Sequence, residues 1–165
     1  MFKWVVGVPL ALGLLLAGGA SATPSSSRSV GAVLQVRRLL GTERGCAGWK
    51  SEPPGDRSAV VRVEGQPGEC YRVGVADVSL KGLSARAVDE SLLGLWVVKV
   101  TMNEAQSAAF NRMAARDYHK VVACVVEGAA IFDGTMIAKQ FGGSFQMSNF
   151  TEQSARRIAR ELDPA

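Results

Sequence analysis

The sequence is poor in the residues that most enzymes use for nucleophilic or acid–base chemistry. It contains a single histidine, His119. A serine or cysteine nucleophile needs a neighbouring base, most often histidine, so such an enzyme would depend on His119. The cysteine that follows it, Cys124, lies inside the apolar run Val121–Val126, whereas a reactive thiolate needs a partly exposed, electropositive setting. We therefore predict no catalytic residue, and we expect His119 to be exposed in a loop.

Motifs that bind metals or phosphates are also missing. The sequence has no C-x-x-C and no H-x-x-x-H spacing, so no zinc site is predicted. Neither G-x-x-x-x-G-K-[ST] nor G-x-G-x-x-G opens a helical pattern. The adjacent carboxylates Asp89 and Glu90 lie in a polar stretch, and we assign them to a solvated turn rather than to an acid–base pair. No cofactor is expected.

Charge of one sign is not in large excess. The chain has 19 Lys and Arg against 15 Asp and Glu, a net charge of +4. Nucleic-acid binding usually requires basic residues clustered on one face. The sequence therefore predicts no nucleic-acid partner.

Long hydrophobic runs are confined to the N-terminus. After residue 29 no run approaches the about 18 apolar residues typical of a membrane helix. Before it, Lys3, the apolar stretch Val5–Ala17 and the small residues up to Ala22 are typical of an export signal. We predict a signal peptide over 1–22 with cleavage between Ala22 and Thr23, and a Pro/Ser-rich linker over 23–29. The alternative is an uncleaved N-terminal anchor.

The three cysteines suit an extracytoplasmic location, where disulfides persist. Cys46 and Cys70 lie in glycine-rich turn contexts, unlike Cys124. We predict that Cys46 pairs with Cys70. In the chain-entropy model, closing this loop stabilises the folded state by about 3 kcal/mol. The alternative is that all three are small buried hydrophobic residues.

The hydrophobic pattern predicts strands and two helices. The first helix begins after the cap Asn103 and runs to about Asp117, and the second follows the cap Thr151 with four apolar residues at helical spacing. Gly41–Gly55 is predicted to be a loop. The predicted strands are Val30–Leu40, Ser58–Val63, Tyr71–Val75, Leu92–Val100, Val121–Val126 and Ser144–Ser148. This order predicts one α+β domain over 30–164, an antiparallel or mixed sheet with two helices packed on one face.

Several segments of the second half follow one another in a recognisable order. They are Cys70–Gly74, Leu80–Leu83, Trp96–Thr101, Val122–Gly128, Gly142–Gly143, Phe145–Ser148 and Phe150–Ala155. From about residue 71 this order resembles the head subdomain of the first extracytoplasmic domain of SecD, a part of the bacterial protein-export translocase SecDF. The resemblance implies a ferredoxin-like fold, an extracytoplasmic location and a role in protein transport.

The sequence departs from that family in two respects. Phe132–Thr135 stands where the family carries a small-Ala-Pro segment. The six membrane helices of the translocase, with their intramembrane carboxylates, have no counterpart after residue 29, so proton-driven export is not carried over.

The resemblance predicts a non-enzymatic binding or accessory domain that contacts unfolded exported polypeptide or components of the translocon. An apolar, flexible segment supplies the candidate binding residues, which are Ile131, Phe132, Met136, Ile137 and Phe141. The alternative reading of these residues is that they close the core under the helices. The alternative function is a structural or protein-interaction module of the cell envelope with no export role.

Overall fold

The computed structural model describes residues 31–50, 57–90 and 95–164. The predicted signal peptide, its cleavage point at Ala22 and Thr23, and the linker lie outside the described residues. None of the helices described is long and apolar enough to cross a membrane. The elements in chain order are β1 (Leu34–Arg44), β2 (Ala59–Val63), β3 (Glu69–Leu80), β4 (Ser84–Glu90), β5 (Leu95–Thr101), α1 (Glu104–Arg116), β6 (Val121–Val126), β7 (Ala129–Thr135), β8 (Ser144–Phe150) and α2 (Glu152–Leu162).

The strands form two sheets, and the α+β class is confirmed. Five strands close a barrel in the order β1-β3-β2-β7-β6, in which only the short β2–β7 pair is parallel among the described strands. The other three form an antiparallel sheet in the order β4-β5-β8. The pairing of β1 with β3 contains three register shifts between Val36 and Gly41. Such irregularities bend strands, which allows a sheet to close on itself.

Both helices contribute to the core that covers one face of the three-stranded sheet. That face carries Val98 and Val100 of β5 and Met147 of β8, which share a buried cluster with Phe110 of α1 and Ile158 of α2. The caps are as predicted: the Asn103 side chain accepts from the Gln106 N–H in a capping box, and Thr151 accepts from the Ser154 N–H. The four apolar residues predicted for the buried side of α2 are all buried there, namely Ala155, Ile158, Ala159 and Leu162.

Two strands lie where no strand was predicted. Asp89 and Glu90 belong to β4 and pair with Trp96 and Leu95 of β5, so their assignment to a turn was wrong. The inward-facing positions of β4 are alanines, Ala85 and Ala87, and their small side chains give too weak an alternation to be recognised. β7 was missed because Asp133 and Gly134 interrupt its apolar pattern.

The first strand ends later than predicted, and the third strand is longer than predicted. β1 continues to Arg44 through the start of the predicted loop, and β3 continues to Leu80. The extension of β1 is explained by its partner, since Glu43 and Arg44 pair with Cys70 and Glu69 of β3. Long-range pairing here overrides the glycine-rich local sequence.

A disulfide joins the end of β1 to the start of β3. Cys46 and Cys70 are bonded with a Cα–Cα separation of 5.2 Å, and Cys124 is the free, buried cysteine. This is the pairing expected from the sequence. It fixes the turn after β1 to the beginning of β3 inside the barrel.

Candidate functional site

A groove of about 660 Å³ follows strand β8 between the three-stranded sheet and the barrel. We call it the β8 groove. Its apolar lining comprises the rings and thioethers of Phe110, Phe132, Met136, Phe141, Phe145 and Met147. Its polar lining includes Arg86, Lys99, Thr101, Ser144, Gln146 and Ser148.

The groove runs along a strand edge rather than over a sheet face. Five consecutive residues of β8, Ser144–Ser148, line it. Because alternate side chains of a strand point to opposite faces, a strand lines a groove with consecutive residues only where its edge faces that groove. β8 is the last strand of its sheet. Among the described residues its backbone pairs with β5 alone, which leaves the outer edge open.

Stacked aromatic rings form the wall beneath this edge. The rings of Phe110 and Phe145 stack with centroids 4.8 Å apart and an interplanar angle of 10°, and Phe141 meets Phe110 edge-on at 5.0 Å. The Asn111 side chain of α1 fixes the Phe141 backbone, because its Oδ1 accepts from the Phe141 N–H at 2.8 Å. The loop after β7 is therefore anchored where it meets the groove.

On the barrel side, a glycine makes room for an aromatic ring. A Cβ on Gly134 would lie 3.1 Å from two ring carbons of Phe132, two residues earlier on the same face of β7. This distance is shorter than an ordinary van der Waals contact. Gly134 therefore allows the Phe132 ring to lie across β7 and line the groove.

The charged residues that line the groove are both cations. Arg86 of β4 pairs in register with Lys99 of β5, which pairs in turn with Gln146 of β8. The three side chains therefore lie in one row across the outer face of the sheet. Neither Arg86 nor Lys99 forms an ion pair with a described residue, and no described Asp or Glu lines the groove. The charged side chains that line this edge are therefore all positive.

The candidate binding residues from the sequence do not all lie together. Phe132, Met136, Ile137 and Phe141 line the β8 groove, where Met136 is largely buried and Ile137 is 78% exposed. Ile131 is 8% exposed and belongs to the core cluster. The sequence pattern did not predict that the β8 edge, Phe110, Phe145 or the two cations belong to this site. The strand Ser144–Ser148 was predicted, but strand order, which makes it an edge, depends on distant pairing.

Ile131 lines a second cavity, of about 510 Å³, together with Tyr71 and Asp133. The Tyr71 hydroxyl donates to Asp133 Oδ1 at 2.9 Å. Burial, and then this hydrogen bond, raises the pKa of Tyr71 to about 12. The phenol is thus a neutral donor to a carboxylate, a pairing that stabilises the barrel.

No protein family model matches the sequence, and no curated protein matches it. The fold is similar to solved structures. One is SecDF in its super-membrane-facing form, with a TM-score of 0.56, 20% identity, and coverage of 80% of this chain and 18% of that one. Another is SecDF described as a membrane component that enhances protein export, with a TM-score of 0.55, 18% identity, and coverage of 81% and 62%. The protein has a SecDF-like fold. Its length fits a subdomain, since it spans less than a fifth of the first SecDF chain.

The lone histidine of this SecDF-like domain lies outside the groove. His119 is exposed, as predicted, has a φ of 63°, and packs its ring on Tyr118 with centroids 3.7 Å apart. It lines neither of the two cavities described above. Among the described residues there is also no group of three or more His, Cys, Asp or Glu side chains that could hold a metal ion.

The free thiol of the SecDF-like domain does line the groove, from its base. Cys124 is 4% exposed, and burial raises its pKa to about 12. The nucleophilic thiolate is therefore scarce at neutral pH. Cys124 acts in this structure as a small apolar residue between β1 and β7, with which it pairs at Val36 and Phe132.

Proposed function

We propose that this SecDF-like domain is a non-enzymatic, extracytoplasmic module that binds exported polypeptides in the β8 groove and acts as an accessory in protein export. One observation carries the proposal: an open strand edge runs beside a wall of phenylalanine and methionine side chains. A strand edge offers the same backbone groups to any extended chain. The adjacent apolar side chains accept varied residues, because methionine is flexible and polarisable.

The size and composition of the groove support a polypeptide as the ligand. Its volume of about 660 Å³ lies within the usual range for ligand sites. Its lining combines aromatic rings with a few polar side chains, and the Cys124 thiol at its base is buried. A site that must hold many different unfolded segments needs adaptable apolar contacts rather than a fixed set of reactive groups.

The proposed location rests on three observations. The N-terminal 22 residues have the pattern of an export signal. A disulfide joins Cys46 and Cys70, and disulfides persist outside the cytoplasm. The fold is similar to that of SecDF, which the description of one solved structure associates with enhanced protein export.

Binding is tested by titrating the protein with a reduced, carboxymethylated and therefore unfolded polypeptide while backbone amide NMR signals are followed. We expect saturable shifts in Ser144–Ser148 and at Ile137, since they line the groove. Ile137→Ser should weaken binding, and this exposed position should tolerate the change. The matched control is Val75→Ser, which removes another exposed apolar side chain, 56% exposed, on β3 outside the groove.

No saturable change at high micromolar polypeptide would contradict the proposal. Equal weakening by Ile137→Ser and Val75→Ser would mean that binding occurs elsewhere. Partner capture in cells then separates the export role from an envelope module: the export role predicts co-purification with the translocon or with nascent exported proteins.

A further inference from the structure

We infer that the polypeptide binds by joining β8 as an additional strand, and that this edge selects extended segments in which apolar residues alternate with acidic ones. The inference rests on the proposed function and specifies the class of polypeptide. It follows from the open edge, from the separation of the groove lining into two sides, and from the charge of one of those sides.

The backbone of β8 is suited to pairing. Apart from its ladder with β5, no backbone hydrogen bond joins residues 144–150 to any other residue that the structure describes. The outer N–H and C=O groups of this edge therefore have no backbone hydrogen-bond partner among the described residues and can pair with an added strand. Unpaired edges of this kind are templates for strand addition.

An added strand would present alternate side chains to two chemically different surfaces. On one side lie Phe145 and Met147, which belong to the core face and continue into the wall formed by Phe141. On the other side lie Ser144, Gln146 and Ser148, on the outer face of the sheet. One half of the ligand's side chains would thus meet an apolar surface and the other half a polar surface.

The polar side selects acidic residues because its charges are cationic. Lys99 is the cross-strand neighbour of Gln146, and Arg86 is the neighbour of Lys99. Strands are spaced about 4.8 Å apart, so the Cα of Lys99 lies about 10 Å from the added strand, a distance that its side chain spans together with that of a glutamate. Opposite charges on neighbouring strands stabilise pairing, and like charges oppose it.

The same charges disfavour another occupant of this edge, a second copy of the chain. Two β8 edges paired together would bring the Lys99 and Arg86 rows of both copies to the same sheet. Four cations would then share one face, and no described acid lines the groove beside them. Charge complementarity therefore favours an acidic, alternating polypeptide over self-association.

The inference is tested with heptapeptides, because β8 has seven residues. The probe is a peptide of alternating phenylalanine and glutamate, and its control replaces each glutamate by lysine. We expect the glutamate peptide to bind the protein at least about tenfold more tightly, as expected for several weak charge pairs acting together. Reversing the charge in Lys99→Glu should lower the affinity for the glutamate peptide and raise the affinity for the lysine peptide. Arg160→Glu, an exposed reversal on α2 outside the groove, should change neither.

Strand pairing itself is tested by N-methylation of the peptide backbone. An added strand directs only alternate N–H groups toward its neighbour. Methylating the N–H groups of one parity should reduce affinity at least about tenfold, and methylating those of the other parity should change it by less than about threefold. A ligand held by its side chains alone would show no dependence on parity.

The possible failures are distinguishable. If neither the unfolded polypeptide nor any peptide binds, the proposed function and the inference are both wrong. If peptides bind in the groove with equal sensitivity to both methylation series, or prefer lysine to glutamate, the inference alone is overturned. Sedimentation experiments test whether dimers form through β8. If a change in the β8 edge dissociates such dimers more than Lys99→Glu does, the edge belongs to a second copy of the chain, and the inference is also overturned.

Discussion

Arg38 of β1 donates a hydrogen bond to the fully buried carboxylate of Asp117, the residue that ends α1. Arg116 contacts the same carboxylate and also Asp77 of β3. Burial opposes ionisation of Asp117, but the hydrogen bonds from both arginines outweigh it, so its pKa is lowered. This cluster connects the end of α1 to the barrel strands β1 and β3.

Replacing this carboxylate should destabilise the fold. Asp117→Asn removes the charge that compensates Arg38, and we expect a loss of about 2 kcal/mol in the free energy of unfolding at pH 7. Urea denaturation measures it. Glu90→Gln, an exposed change on β4, should have almost no effect; equal effects of the two changes would contradict the role of the buried pair.

The same pair predicts a pH dependence. Because the pKa of Asp117 is lowered in the folded state, its contribution is present above the unfolded pKa of about 3.9 and is lost as pH falls through the folded value. Wild-type stability should therefore fall more steeply than that of Asp117→Asn below about pH 4. Parallel pH profiles of the two proteins would contradict this assignment.

Gly134→Ala tests the space that the Phe132 ring occupies. The new methyl group would lie 3.1 Å from that ring and should displace it from the groove. We expect weaker polypeptide binding and a loss of about 1 kcal/mol in stability. Gly142→Ala is the matched control, since nothing lies within 4 Å of a Cβ built there. Unchanged polypeptide affinity of the Gly134→Ala variant would show that the Phe132 ring does not contribute to binding.

The disulfide should stabilise the barrel without contributing to binding. Cys46 and Cys70 close a loop with a sequence separation of 24, so the double variant Cys46→Ala/Cys70→Ala should be about 3 kcal/mol less stable. Neither cysteine lines the β8 groove, and peptide affinity should be unchanged under conditions where the variant is folded. Thermal unfolding and peptide titration together check both statements.

Cys124 should resist thiol reagents in the folded protein. Its burial and its pKa of about 12 keep the thiol protonated and covered, so modification at pH 8 should proceed only as fast as the protein opens. Rapid stoichiometric labelling under native conditions would contradict the position of Cys124 at the base of the groove. Full labelling in denaturant is the control.

The features that the sequence predicted correctly are those fixed by local chemistry. Asn103 and Thr151 are side-chain caps, the buried stripe of α2 follows from helical spacing, and the turn contexts of Cys46 and Cys70 distinguish them from Cys124. Each depends on a few neighbouring residues. The α+β class followed from the order of such local signals.

The features that the sequence did not predict depend on distant pairing. The bends of β1 occur where β1 pairs with β3 in the barrel. The alanines of β4 give little strand signal by themselves, and β4 is a strand because it pairs with β5. The groove is the clearest case: Ser144–Ser148 was predicted as a strand, but only the order β4-β5-β8 makes it an edge. Lys99 and Arg86 lie at the site because the register of β4, β5 and β8 aligns them with Gln146, and no local sequence pattern reveals that register.

The open edge of β8 is the proposed place where the polypeptide binds. Amide hydrogen exchange of residues 144–150, measured with and without a saturating alternating phenylalanine–glutamate peptide, tests it directly. We predict that bound peptide slows exchange at alternate amides of β8, those that face outward from β5. Exchange in the turn at residues 45–48, which lines neither cavity, should remain unchanged. Saturation of binding with no added protection anywhere in 144–150 would contradict the account.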